Sequence, residues 1–289
     1  MTERALSRLF PARQRPPRGD TAMRMLIGLG AATLAAIAMP AVAHAAPHTT
    51  VYVNNHQLVI DAEAGKTNNV VVALDTANHR LSVTDSGDLL AVGAGCSLSG
   101  TTVYCTYETG ATKLITSVRV NAGDLNDRIA INYDNTNADA MPAYVYGEEG
   151  NDVIETRAKG TISGGDGVDT LRPKRGGVNV YGGAGVDRVD YNSGSSLHPN
   201  SGVSVTIGSG TDDGYDTLAL KDFVASDVEN LTGTNFVDHL VGSAAANNIV
   251  ALGANDLIWG LAGNDTLNGG LGVDTCLDAE DGDTLISCP

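Results

Sequence analysis

Aspartate recurs at a fixed phase in the C-terminal part of this 289-residue chain. From Gly233 the sequence divides without a gap into GTNFVDHLV, GSAAANNIV, ALGANDLIW, GLAGNDTLN, GGLGVDTCL and DAEDGDTLI. Position six of these nonapeptides reads Asp238, Asn247, Asp256, Asp265, Asp274 and Asp283, and position eight reads Leu240, Ile249, Ile258, Leu267, Cys276 and Leu285. Upstream, GEEGNDVIE, GGDGVDTLR and GGAGVDRVD place Asp152, Asp169 and Asp187 17 and 18 residues apart, with degenerate copies around Asp127 and Asp216. Carboxylates repeated behind glycine turns are suited to one kind of chemistry, oxygen coordination of a hard cation. Ca²⁺ takes six to eight carboxylate and carbonyl oxygens at about 2.3 to 2.6 Å.

The period dictates the elements that would position them. Six glycine-rich, polar residues make a turn, and the last three make a short strand whose middle side chain points inward. Nine residues are then a half-coil, and eighteen bring the chain back over itself by one strand spacing of about 4.8 Å. The buried column is one aliphatic residue deep per half-coil, so several repeats are needed to close a core. In such a stack Asp256 lies over Asp238 and Asp274, and Asp265 over Asp283, at separations where unneutralised charge is costly. A divalent cation between successive turns relieves that repulsion. Glycine lets the turn bend its carbonyls inward.

The units GGDGVDTLR, GGAGVDRVD, GLAGNDTLN and GGLGVDTCL resemble the calcium-binding nonapeptide repeats of hemolysin-type (repeats-in-toxin, RTX) secreted proteins. The resemblance implies an all-β fold, a parallel β-roll or β-solenoid of nonapeptide half-coils, holding several Ca²⁺ ions between turns two repeats apart. The ligands it implies are Asp152, Asp169, Asp187, Asp256, Asp265, Asp274 and Asp283, completed by backbone carbonyls. Ions are expected near Asp169/Asp187 and Asp265/Asp283. Glu148, Phe236 and Ala245 replace glycines of the pattern and Asn247 replaces a carboxylate, so the positions of Asp238 and Asn247 are expected to stay vacant.

Composition sets the frame. Three Phe, one Trp and nine Tyr stand against 35 Gly, which leaves Val, Ile, Leu and Ala to build a thin core. Arg24 precedes the apolar run MLIGLGAATLAAIAMPAVA, which ends in the small-x-small pattern AHA, so residues 1–45 read as a secretory signal peptide cleaved near Ala45 or Ala46. Met23 is an alternative start. The chain after residue 45 carries 12 basic and 32 acidic residues. That balance argues against nucleic acid and anionic membrane and for cations as partners, and no membrane span is expected after cleavage. Four cysteines form two local pairs, Cys96 with Cys105 and Cys276 with Cys288, read as disulfides of an oxidising compartment.

Residues 46–135 alternate in the manner of strands (TVYVNN, NNVVVAL, HRLSVTD) and are expected to be an N-terminal β region, either a cap or degenerate coils, ahead of a roll over 136–289. Catalysis finds no foothold: HExxH and G-x-S-x-G are absent and the histidines are scattered singly. The basic run RPKR, Arg172 to Arg175, beside Asp169 leaves one enzymatic alternative, a calcium-dependent polysaccharide-degrading enzyme. The leading expectation is a non-enzymatic, extracellular calcium-binding roll with a structural or cell-surface role. An adhesion module for cell wall or glycan is the alternative.

Overall fold

A computed structural model of the chain describes residues 48–289 except 110–111, 134–140, 211, 278–281 and 289. The expected export signal lies outside the described residues, as do the first four residues of the last nonapeptide. Among the described residues there is no α-helix, only the 3-10 turns Thr76–Asn78 and Asn192–Leu197. The rest is sheet, wound as a parallel β-roll.

Each coil contributes one strand to either side. On the first face Gln57–Asp61, Ser117–Asn121, Ala143–Glu149, Gly160–Gly167 and Val178–Gly185 stack in parallel. On the second, Asn69–Asp75, Arg128–Asn132, Val153–Thr156, Thr170–Pro173 and Arg188–Asp190 do the same. The half-units GTIS and VNVY thus supply the strands opposite the aspartate-bearing turns. Three strands, Ala143–Glu149, Gly160–Gly167 and Val178–Gly185, run on into the glycine-rich segment that the period assigns to the turn. Gly165 pairs with both Glu148 and Gly183, because residues without side chains let stacked backbones stay extended and hydrogen-bonded through the corner.

After an insertion over residues 192–222 the nonapeptides take over. Asn230–Thr232, Asn248–Val250, Thr266–Asn268 and Thr284–Ile286 continue the second face, each in register with the strand eighteen residues away. Alternate units, His239–Val241, Leu257–Trp259 and Thr275–Leu277, form a separate five-stranded sheet begun by Val203–Thr206 and Gly214–Tyr215.

The core is a column of single aliphatic side chains, as the period requires. Leu231, Leu240, Ile249, Ile258 and Leu267 are all buried, while Cys276 is half-buried. Leu285 departs from the inward phase: it is 42% exposed, on the edge strand Thr284–Ile286, which pairs only with Thr266–Asn268 among the described residues. Residues 48–113 hold the other end. There Thr49–Asn54 pairs antiparallel with Gln57–Asp61, and Arg80–Asp85, Thr102–Thr106 and Cys96–Ser99 extend the second face as antiparallel strands. Cys96 and Cys105 face each other in that hairpin and are bonded. Cys276 is bonded to Cys288, which fastens the C-terminus to the last strand of the five-stranded sheet.

Column position therefore sets the cost of truncation. Leu267→Ala is expected to cost about 2–5 kcal/mol of unfolding free energy, whereas Leu285→Ala costs no more than about 1 kcal/mol. Denaturant unfolding of the two variants measures this, and equal losses would contradict the inward phase assigned to Leu267.

Candidate metal centre

Each aspartate at position six immediately precedes a strand, so the parallel register that aligns the strands also aligns the carboxylates. One oxygen of each is committed to the neighbouring coil. The backbone N–H groups of Asp127, Asp152 and Asp169 donate to Oδ1 of Asp152, Asp169 and Asp187, at 2.7, 2.7 and 2.8 Å. In the nonapeptide block Asn247 donates to Asp265 Oδ1 (2.7 Å) and Asp265 to Asp283 Oδ1 (2.7 Å). On the five-stranded side Asp238 donates to Asp256 Oδ1 (2.8 Å) and Asp256 to Asp274 Oδ1 (2.9 Å). Asp265 thus meets Asp283 and Asp274 meets Asp256, each eighteen residues apart.

The second oxygen is the informative one. Oδ2 of Asp127, Asp152, Asp169, Asp187, Asp256, Asp274 and Asp283 is buried with no hydrogen-bond partner. Native proteins seldom leave a buried polar atom unmatched, and a carboxylate oxygen is among the costliest. These oxygens are not alone in their pockets. At Gly164 a β-carbon would collide with Asp169 Oδ2 and with the carbonyl of Gly182, and at Gly269 with Asp274 Oδ2 and the carbonyl of Ser287. A carboxylate oxygen and a main-chain carbonyl of the next coil therefore converge over one glycine, a cradle that any side chain would fill. Among the described residues no three His, Cys, Asp or Glu side chains gather as a ready-made cluster. Each turn brings one carboxylate, so carbonyls must make up the remainder of a coordination shell, and hard Ca²⁺ accepts that mixture.

Burial acts on the same groups. It pushes the carboxyl of Asp127 up to about 7 and those of Asp152, Asp169, Asp187 and Asp256 up to about 6, with neighbouring carboxylates such as Asp152 beside Asp169 adding to the rise.

The other candidates sort by geometry. Asp238 spends both oxygens, accepting from Val203 N (2.8 Å) and Thr234 N (2.6 Å), and Asn247 accepts from Ser243 N while donating to the Glu229 carbonyl. Asp127, in a degenerate copy, stands in line with Asp152 and shares its unmatched oxygen. Asp216 does not join: its segment forms the insertion instead, and its N–H donates to the Gly202 carbonyl. The sequence reading overlooked Glu229, whose Oε2 accepts the Asp187 N–H at 2.8 Å. Continuing the nine-residue count one unit upstream of Gly233 would have found it, since VASDVENLT has Glu229 at position six and Leu231 at position eight.

Residues 163–197, 232–260 and 241–276 match the family model of the RTX calcium-binding nonapeptide repeat, in four copies. No curated protein matches the chain.

A carboxyl whose folded value lies above its unfolded one favours folding while protonated, and that contribution is lost as pH rises through the folded value. The metal-free chain should therefore lose melting temperature between about pH 4 and about pH 8. Calcium needs the ionised carboxylates and should reverse the slope over the same window. Thermal scans in chelator and in calcium check both signs, and a metal-free chain that gains stability across the window would contradict the burial of these oxygens.

Proposed function

The chain carries calcium-binding nonapeptide repeats of the RTX type, and from that premise we propose that it is a secreted protein whose roll takes up several Ca²⁺ ions and completes its folding as it does so. The ligands are Asp152, Asp169, Asp187, Asp256, Asp265, Asp274 and Asp283, with carbonyls of the adjoining turns. The observation that carries this reading is the file of buried Oδ2 atoms set against main-chain carbonyls. A bound cation supplies positive charge between turns. The protein's own part is to hold each carboxylate by its Oδ1 hydrogen bond, keep water from the stack, and present carbonyls through glycine-rich corners. Export is supported by the N-terminal targeting pattern and by two disulfides, which persist in oxidising compartments. The role outside the cell is structural or at the surface.

One feature favours the adhesion reading as a second possibility. The outer side of the first face lines up Tyr144, Tyr146, Tyr181 and Phe223, with Arg119 over the Tyr146 ring at 5.2 Å and Tyr181 edge-on to Phe223 at 6.0 Å. Tyr181 is exposed and the other three rings are half-buried, and with Asn and Ser beside them they form a platform on which sugar rings could stack. The basic run lends the enzymatic alternative nothing: Arg172 pairs with Asp190 (3.0 Å) and Lys174 with Glu155 (3.0 Å).

Adding millimolar calcium to chelated protein is expected to raise the melting temperature and increase the β signal in far-UV circular dichroism. At free calcium a hundredfold above the dissociation constant, each independent site adds about 2.7 kcal/mol. Gly164→Ala, whose methyl would occupy the cradle of Asp169, should lose part of that increment. A parent chain indifferent to calcium in both measurements would sink the reading. For adhesion, calcium-loaded protein should sediment with cell-wall glycan, and Tyr181→Ala should weaken it.

A further inference from the structure

The matched repeats break off at residue 197 and resume at 232, and between them the chain leaves the roll for the insertion. The coil that rejoins it is irregular. Val180 pairs with Val224 on the first face and Arg188 with Asn230 on the second. Eight residues of advance on one coil are thus matched by six on the next. The turn is two residues shorter, and a glycine–aspartate unit does not fit it.

We propose that this short turn, Asp227 to Glu229, forms a divalent-cation site with Asp187, so that the file of metal ligands crosses the insertion unbroken. The inference rests on the calcium reading above but concerns residues outside the matched repeats. Glu229 directly precedes its strand, as Asp187 precedes its own, and Asn230 stands in register with both Arg188 and Asn248. Its longer side chain spans the deficit left by the shortened turn. Oε2 of Glu229 takes the Asp187 N–H at 2.8 Å, the distance at which Asp187 Oδ1 takes that of Asp169. Asp227 fixes the turn from the other side, accepting Gly182 N–H on Oδ1 (3.1 Å) and Gly183 N–H on Oδ2 (3.2 Å). The Asp227 carbonyl lies over Gly182 in the place that the Gly182 carbonyl holds over Gly164 one coil earlier. Asp187 Oδ2 faces that same carbonyl, wholly buried and without a hydrogen-bond partner. An unmatched carboxylate oxygen, a carbonyl converging on it and a second carboxylate one coil on make an oxygen-only set. Its ligand is a hard divalent cation, and the mixed, irregular donors suit Ca²⁺ better than the strict octahedron of Mg²⁺.

The test is Glu229→Gln, which keeps an oxygen to accept the Asp187 N–H and removes only the charge. In calcium titration by calorimetry the variant should bind one ion fewer than the parent chain, or bind it at least about tenfold more weakly. In chelator it should melt no lower than the parent, because repulsion from Asp187 and Asp227 has been relieved. A cap of purely structural value would show the reverse pattern, with unchanged ion stoichiometry and the same loss of melting temperature with and without calcium, and that result overturns the proposal. Asp227→Asn, which keeps an acceptor for one of the two glycine N–H groups, provides the second variant should Glu229→Gln fail to fold, with the same two outcomes. A parent chain that takes up no calcium sinks both this site and the proposed function, whereas a responsive parent with an indifferent Glu229→Gln sinks this site alone.

Discussion

Everything in this molecule is conditioned by stacking identical acids at the spacing of a parallel sheet. The coil that places Leu267 over Ile249 must place Asp265 over Asn247 and Asp283 over Asp265. One oxygen of each carboxylate is well used, since it caps a backbone N–H that the turn would otherwise leave buried and unpaired. The other has no such use. A hydrophobic column one residue deep cannot offset a row of buried, like-charged oxygens by itself. The fold therefore contains its own demand for positive charge, and the carbonyls brought against the same oxygens show where that charge belongs.

The glycines serve the same constraint. At Gly167, φ is 148°, and a β-carbon there would collide with the carbonyl of Gly150 in the preceding coil. At Gly164 the obstacle is the carboxylate itself. These positions need the absence of a side chain more than freedom of rotation, because oxygen from the adjacent turn already occupies the space. Glu148 at a second position and Ala245 at a fourth depart from this, while glycine is kept at the first position of most units.

Much of this was legible in the sequence, and for a physical reason. The phase of Leu, Ile and Asp over six nonapeptides fixes which residues face inward and which coils meet, so the eighteen-residue partners could be read directly. Less regular features escaped. The insertion after Tyr191 is built from contacts that have no period: Tyr191 and Tyr215 pack edge to face at 5.6 Å, and the buried Asp213 accepts from Thr206 N and Val224 N. DDGYDTLAL looked like another unit because composition there imitates the motif, yet its Asp213 serves that local network. Glu229 was missed for the opposite reason. Its residue type falls outside the pattern while its position falls inside the nine-residue count, and the register of the flanking strands bears the equivalence out. Leu285 kept the pattern but lies on the edge strand of its sheet.

The two ends of the roll meet the constraint unequally. Near the N-terminal end, strands such as Gln57–Asp61 and Asn69–Asp75 are five to seven residues long and bury several aliphatic side chains each. Antiparallel strands and the Cys96–Cys105 bond close that end. The C-terminal coils have strands of three residues with a single inward side chain, and Asp256, Asp265, Asp274 and Asp283 come two to a coil where Asp152, Asp169 and Asp187 come one. Apolar burial per coil falls while the number of stacked carboxylates per coil rises. The balance thus tips towards metal dependence along the chain, and the Cys276–Cys288 bond lies where apolar burial is least able to hold the last coil in place.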